Sequence, residues 1–166
     1  MPLENIEQPN IININNNLRL RKYDGHFEKA LIGYLDPYVY KNSEGIVDDS
    51  KKPDLDYVKG MMEWLNNNGE LYFIEVLENN IYIEIGDVTV KDQNPPIAIW
   101  YEKYRGIGIG TLVMKEVIKR LKCLGYAKIV GTTIYKYNTK SQNMHERLGF
   151  KRVAETDDEY IYELDL

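Results

Sequence analysis

The stretch Arg105-Gly106-Ile107-Gly108-Ile109-Gly110-Thr111 decides the fold, because it separates two apolar segments of different periodicity. The short apolar run at residues 96–100, just before it, is typical of a buried strand. From residue 109 to residue 124, apolar side chains recur at helical spacing and charged side chains occupy the opposite face. Gly125 then stands where the glycine of a helix C-terminal cap is expected. The stretch therefore predicts a strand, a glycine turn and a helix in succession.

The three glycines of this stretch predict a binding site for phosphate. Gly106, Gly108 and Gly110 alternate with other residues, so they leave backbone N–H groups uncovered at the positive end of a helix dipole. The spacing fits neither the Rossmann fingerprint nor the P-loop, since Thr111 and Leu112 stand where those motifs need other residues. The alternative is a tight turn in which the glycines only permit unusual backbone angles.

Length and composition restrict the class of protein. A chain of 166 residues, with 43% apolar and 28% charged residues, is typical of an ordinary soluble globule, and we expect one domain over residues 1–166. The net charge of −5 disfavours general nucleic-acid binding. The single cysteine, Cys123, cannot form an internal disulfide, and its helical neighbours predict a buried or half-buried thiol. The opening Met1-Pro2-Leu3-Glu4 does not resemble a secretory leader, and no apolar run approaches membrane-spanning length, so we expect a cytoplasmic protein that does not bind membranes.

Periodicity along the whole chain predicts an α/β fold with the order β-α-α-β-β-β-α-β-α-β-β. After a partly ordered segment, residues 1–17, the predicted elements are strand 18–21, helix 26–35, helix 55–65, strands 71–77 and 81–90, strand 96–100, helix 109–124, strand 127–135, helix 138–148 and a terminal hairpin of 150–154 with 160–164. The tyrosine-rich segment 34–40 is expected to be a loop, with the character of a lid. The strand–helix–strand order around the glycines implies a parallel pair joined by a right-handed crossover. The expected architecture is a mixed, mostly antiparallel central sheet with helices on both faces.

A second motif follows the strand at 127–135. It reads Asn138-x-x-Ser141-x-x-x-His145-x-x-x-Gly149-Phe150, and it spans the start and the end of the predicted helix 138–148. Asn138 and Ser141 can offer hydrogen bonds to an extended ligand, and His145 lies one turn beyond Ser141 on the same helix face. In the alternative interpretation, Asn138, Ser141 and Gly149 only cap the helix.

The two motifs together resemble the signatures of the GNAT acyl-CoA N-acyltransferases. R-x-x-G-x-G, read at Arg105, Gly108 and Gly110, is similar to the family's pyrophosphate loop. The second motif is similar to N-x-x-S-x-x-x-Y-x-x-x-G-F, except that His145 stands where the family usually has tyrosine. The resemblance covers residues 70–166, and the first 70 residues match only as a variable substrate-side region. It implies the GNAT fold, in which the strand before the glycine loop splays from its parallel neighbour.

The resemblance also implies a cofactor site. Acetyl-CoA, the co-substrate, would lie between the splayed strands, and no metal is implied. Pantetheine would contact the main chain of Ile99 and Trp100 and would be flanked by Asn138 and Ser141. The pyrophosphate contacts would come from Arg105, Gly106, Ile107, Gly108, Ile109, Gly110 and Thr111.

The reaction implied is direct attack of a neutral amine on the thioester, which needs a base, an oxyanion donor and an acid for the departing thiolate. A backbone N–H of the 97–100 strand could be the oxyanion donor. His145 could replace the family's tyrosine acid or serve as the base, or it could be a solvated surface histidine. Asp87, Glu84 and Glu75 on the predicted hairpin are further candidates for the base, and a water relay needs no residue.

The acceptor site is expected in the first part of the chain. Tyr34, Asp36, Tyr38 and Tyr40 could bind a cationic amine through ring faces and a carboxylate, or they could be packing and surface residues. The leading hypothesis is an acetyl-CoA-dependent N-acetyltransferase for the primary amine of a small molecule, of an aminoglycoside-like or polyamine-like kind. The alternatives are a protein or peptide N-acetyltransferase and a catalytically silent acyl-CoA-binding module. Homodimers are common in the family, although no stretch of this sequence indicates an interface.

Overall fold

A computed structural model of the chain describes residues 5–166. The expectation that Met1-Pro2-Leu3-Glu4 is not a secretory leader concerns residues outside this range. The described part forms eight strands and five α-helices. In chain order they are β1 (Ile11–Asn13), β2 (Leu18–Lys22), α1 (Glu28–Tyr34), α2 (Pro37–Glu44), α3 (Leu55–Asn68), β3 (Glu70–Glu78), β4 (Ile81–Val90), β5 (Ile97–Ile99), α4 (Ile109–Cys123), β6 (Lys128–Tyr135), α5 (Thr139–Arg147), β7 (Lys151–Glu155) and β8 (Glu159–Asp165).

The strands form two sheets that meet at one point. Five antiparallel strands follow the order β1-β2-β3-β4-β5, and the other three follow the order β6-β8-β7. A single parallel bridge between Gln93 and Val130 joins the sheets, ahead of β5 and near the start of β6. The parallel pairing expected of β5 and β6 is therefore limited to this bridge. Beyond it the two strands separate, and the mixed, splayed α/β fold is confirmed.

Helices cover both faces of the five-stranded sheet, as the sequence predicts. Leu71 and Phe73 of β3 pack with α1 and α3, whereas Tyr72 and Ile74, which alternate with them, pack with α4. Alternate residues of a strand point to opposite faces, so the two buried clusters lie on opposite sides of the sheet. No helix within residues 5–166 is long and apolar enough to cross a membrane.

Two elements differ from the expected order. The segment expected to be partly ordered contains β1, which pairs with β2 through Ile12 and Leu20. The segment expected to be a loop contains α2, because Asp36 accepts a hydrogen bond from the Tyr38 N–H and Pro37 occupies the first helical position. Gly45, with φ of 67°, ends this helix. The predicted lid is thus a helix that belongs to the wall of the site.

The expectation for Cys123 is wrong. Its thiol is exposed at the last residue of α4, although Leu121 is fully buried. Two residues along an α-helix amount to more than half a turn, so a residue two positions after a buried one faces the other side.

Candidate active site

Two adjoining cavities lie where the sheets separate. The first, the loop cleft, has a volume of about 470 Å³ and is lined by the glycine loop, β5 and α5. The second, the aromatic cavity, has a volume of about 800 Å³ and is lined by α3, β6 and the end of α2. The residues that line both are Asn42, Ser43, Ile97, Asn138 and Ser141. A ligand in the loop cleft and a second ligand in the aromatic cavity would meet at these shared residues.

The glycine loop offers uncovered backbone N–H groups to the loop cleft. Gly108, with φ of 91°, is the N-cap of α4, and no side chain caps the helix. A Cβ atom at Gly106 or Gly108 would meet nothing within 4 Å, so the space beside both glycines is open. The first N–H groups of a helix have no intrahelical partner and attract anions. The loop therefore fits the pyrophosphate expected from the sequence.

Arg105 does not extend into the loop cleft as a free cation. Its Nε donates to the carbonyl oxygen of Ile99 at 3.0 Å, and its Nη2 donates to that of Trp100 at 2.7 Å. The same Nη2 donates to Asp36 at 3.0 Å, and the guanidinium carbon lies 4.1 Å from the Tyr38 ring centroid. Arg105, expected to hold pyrophosphate, lines the loop cleft, and its hydrogen bonds also fasten the end of β5 to the start of α2.

The free edge of β5 determines which main-chain groups face the loop cleft. The Trp100 N–H donates to Ile85 of β4 at 2.8 Å, and the Trp100 carbonyl accepts from Arg105, so both groups are occupied. Ile97 and Ile99 pair with β4 at the alternate positions, where N–H and C=O groups point away from the neighbouring strand. The free main-chain groups on this edge are therefore those of Ile97 and the N–H of Ile99, and not those of Trp100, an alternation that the period of two residues in a strand could have indicated.

Asn138 caps α5, and Asn138 and Ser141 both line the two cavities. Asn138 accepts a hydrogen bond from the Ser141 N–H at 3.3 Å, so the capping interpretation is correct for this residue. The same two residues lie at the junction of the loop cleft and the aromatic cavity. Capping and ligand contact are compatible here, because each residue has further polar atoms.

His145 is buried beside this junction in a defined tautomer. Its side chain lines the aromatic cavity, and its Nδ1 lies 2.8 Å from the carbonyl oxygen of Ser141. A carbonyl oxygen only accepts hydrogen bonds, so Nδ1 carries the proton and Nε2 carries the lone pair. Burial lowers the pKa of His145, which keeps the ring neutral near pH 7. His145 is thus a buried proton acceptor and not a solvated surface histidine.

Asp87 lies behind the aromatic cavity and is almost fully buried. Its carboxylate accepts hydrogen bonds from the Tyr34 hydroxyl at 2.9 Å and from the Trp100 indole N–H at 2.8 Å. Burial raises the pKa of Asp87 to about 7, although both hydrogen bonds act in the opposite direction. Asp87 lines neither cavity and reaches the aromatic cavity only through Tyr34.

The other two candidates for the base lie away from both cavities. Glu84 accepts from Arg21 at 3.0 Å and from Lys29 at 2.7 Å. Glu75 accepts from Arg19 at 2.9 Å and from Arg21 at 3.0 Å. Neither residue lines the loop cleft or the aromatic cavity. These carboxylates belong to an ion-pair network on the sheet.

The residues expected to bind the acceptor are divided between the two cavities. Tyr34 lines the aromatic cavity, whereas Tyr38 lines the loop cleft and Asp36 is engaged by Arg105. The sequence analysis missed Glu44, Tyr57, Trp64 and Tyr135, which line the aromatic cavity. The helical spacing of Tyr57 and Trp64 on α3 could have indicated a shared face.

The described residues contain no group of three or more His, Cys, Asp or Glu side chains placed to hold a metal ion.

A family model described as "Acetyltransferase (GNAT) family" matches residues 43–150. A comparison with curated protein sequences found no significant match.

Solved structures share the fold. A domain from Methanocaldococcus jannaschii is 26% identical with a TM-score of 0.77, and the match covers 92% of this chain and all of that one. The microcin C7 self-immunity acetyltransferase MccE, in complex with acetyl-CoA and AMP, is 15% identical with a TM-score of 0.66 and coverages of 95% and 97%. The ribosomal L7/L12 α-N-protein acetyltransferase RimL is 14% identical with a TM-score of 0.70 and coverages of 94% and 94%.

The burial of Asp87 predicts how the free energy of unfolding changes with pH. Its pKa is raised from 3.8 to about 7, so within that window the folded protein binds more protons than the unfolded chain. The contribution of Asp87 to stability is therefore fully present at low pH and is lost as pH rises towards 7. We expect the free energy of unfolding of the wild type, relative to Asp87→Asn, to fall across this window. Chemical denaturation of both proteins at several pH values measures it, and a difference that is independent of pH would contradict the assignment.

Proposed function

The chain belongs to the acetyltransferase (GNAT) family, and on that premise we propose that it transfers an acetyl group from acetyl-CoA to the primary amine of a small molecule. The observation that carries the proposal is the junction of the loop cleft and the aromatic cavity. One wall of the junction holds the free edge of β5 at Ile97, and another holds Asn138, Ser141 and the adjacent His145. A thioester in the loop cleft and an amine in the aromatic cavity could meet there.

The residues of the loop cleft fit acetyl-CoA. The amides of the glycine loop at the start of α4 would bind pyrophosphate, and the main-chain groups of Ile97 and the N–H of Ile99 would pair with the pantetheine arm. Asn138 and Ser141 would flank that arm. When bound, acetyl-CoA supplies the thioester carbonyl that the amine attacks. Arg105 would act indirectly, because its hydrogen bonds hold the end of β5 and the loop in place.

His145 supplies the proton transfer in this proposal. With the proton on Nδ1, Nε2 can accept a proton from the attacking amine, which forms its new C–N bond as the C–S bond breaks. The protonated Nε2 is then an acid, and the departing sulfur can take the same proton. His145 thus combines the base with the role that tyrosine usually has in the family. The number of protons balances without a second ionisable residue at the junction.

Asp87 acts as a positioning residue in this proposal. The Asp87 carboxylate accepts hydrogen bonds from the Tyr34 hydroxyl and from the Trp100 indole N–H. It thereby fixes Tyr34, which lines the aromatic cavity, relative to the end of β5. Asp87 lines neither cavity, so it does not contact an amine directly. Glu84 and Glu75 have no part in the reaction, because their ion pairs lie elsewhere.

A small acceptor is supported by the size of the aromatic cavity, since about 800 Å³ is a volume typical of small-molecule sites. Its walls come from α2, α3 and β6. A protein or peptide acceptor remains the alternative, since RimL shares the fold. A silent acyl-CoA-binding module is the other, and it would bind acetyl-CoA without releasing thiol in the presence of any amine.

The glycine loop predicts how acetyl-CoA binding can be removed. Gly108→Ala places a methyl group beside the open N–H groups and strains a positive φ, so we expect the Kd for acetyl-CoA to rise by about tenfold or more. Gly25→Ala is the matched control, since Gly25 has φ of 89° and equally open surroundings outside both cavities. Calorimetric titration of both variants measures the effect. Equal affinities in the two variants would exclude the loop as the phosphate site.

The tautomer of His145 predicts a loss of turnover with retained binding. We expect His145→Gln, which cannot exchange a proton, to lower kcat by roughly a hundredfold to ten-thousandfold and to leave the Kd for acetyl-CoA unchanged. In the wild type, kcat should rise with pH through the His145 pKa, which lies below 6.5, and this limb should vanish in the variant. Thiol release against a panel of amines measures both effects. The exposed His26→Gln is the control, and a wild-type rate in His145→Gln would disprove the role.

A further inference from the structure

The Glu44 carboxylate lies in an electrostatically unfavourable position, at the corner of the aromatic cavity where α2 ends. Glu44 is the last residue of α2, and it is half-buried. The C-terminal end of a helix carries partial negative charge, so a carboxylate there is disfavoured. Glu44 forms no salt bridge with any residue from 5 to 166. Lys41, one turn earlier, pairs with Asp49 at 3.5 Å instead.

Aromatic side chains line the same cavity as this carboxylate. The Tyr57 hydroxyl donates a hydrogen bond to Glu44. Tyr34 and Tyr135 also line the aromatic cavity. A Cβ atom at Gly45 would clash with the Tyr135 hydroxyl, so the chain after Glu44 packs directly on that residue. Ring faces and a carboxylate together are a favourable environment for an organic cation.

Among the residues that the structure describes, no cation that lines the aromatic cavity forms a salt bridge with Glu44. Lys91 lines the same cavity, but its ammonium lies over the Trp64 ring, 4.5 Å from the centroid. Thr132 also lines the cavity, and its buried hydroxyl has no hydrogen-bond partner among the described residues. The cavity thus contains a carboxylate without a salt bridge and a hydroxyl without a hydrogen bond, both of which a polar ligand could satisfy.

We propose that Glu44 and Tyr57 bind a second ammonium group of the acceptor, so that the acceptor is a diamine or polyamine. The inference rests on the proposed function. The ammonium at Glu44 is not the reacting one, because a carboxylate stabilises the protonated amine and an ammonium cannot attack a thioester. The reacting amine lies at the junction beside His145, and the alkyl chain between the two nitrogens lies along the rings of the aromatic cavity.

The test compares α,ω-diamines with alkyl monoamines of the same chain lengths. We expect the wild type to prefer the best diamine over its monoamine by roughly tenfold to a hundredfold in kcat/KM. Glu44→Gln should remove this preference, because it lowers kcat/KM for the diamine by roughly tenfold to a hundredfold more than for the monoamine. Asp49→Asn is the matched control, because Asp49 also accepts from a tyrosine, Tyr40, loses the same charge and lies outside the aromatic cavity.

Diamine binding is measured separately by calorimetry in the presence of coenzyme A. Tighter binding of the diamine to the wild type than to Glu44→Gln supports the inference even if no amine is acetylated, a result that would refute only the proposed function. Three results would overturn the inference: equal wild-type use and binding of diamines and monoamines, an equal loss for both amines in Glu44→Gln, or the same loss in Asp49→Asn.

Discussion

The hydrogen bonds of Arg105 are the constraint on which the site depends. Backbone carbonyls buried at the end of a strand need donors, and a single guanidinium satisfies those of Ile99 and Trp100. The same group binds Asp36, which caps α2. The chain can therefore leave the five-stranded sheet at β5 and enter the glycine loop without an unsatisfied carbonyl. One side chain, that of Arg105, consequently holds three parts of the site together: the unpaired edge of β5, the glycine loop, and the wall of the aromatic cavity that α2 provides.

Much of the fold could be predicted from local patterns, and the errors have physical causes. The helix after the glycine loop, the hairpin of β3 and β4 and the Asn138 cap all follow from spacing and from the chemistry of caps. Helix α2 was missed because it is short and polar, so Pro37 and the tyrosines suggested a loop. Periodicity assigns a residue to a face but does not show what covers that face, so it could not show that Asp87 is buried beneath Tyr34 and Trp100.

The site itself was less predictable than the fold, because its residues meet over long distances in the chain. Gly108, Asn138 and Ser141, which the signatures contain, all line the loop cleft, because they belong to local turns and to the start of a helix. The engagement of Arg105 by Asp36 joins residues that are 69 positions apart, and no spacing rule anticipates it. The tautomer of His145 likewise could not be predicted from the sequence, because it depends on the position of the Ser141 carbonyl oxygen.

The measurement that tests the account most directly is a crystal structure of the protein with acetyl-CoA. The account predicts pyrophosphate on the N–H groups of the glycine loop and pantetheine amides paired with the main chain of Ile97 and Ile99. The acetyl group should lie at the junction of the two cavities, beside His145, with Arg105 still bonded to Ile99 and Trp100. Acetyl-CoA bound outside the loop cleft, or an acetyl group remote from His145, would contradict it.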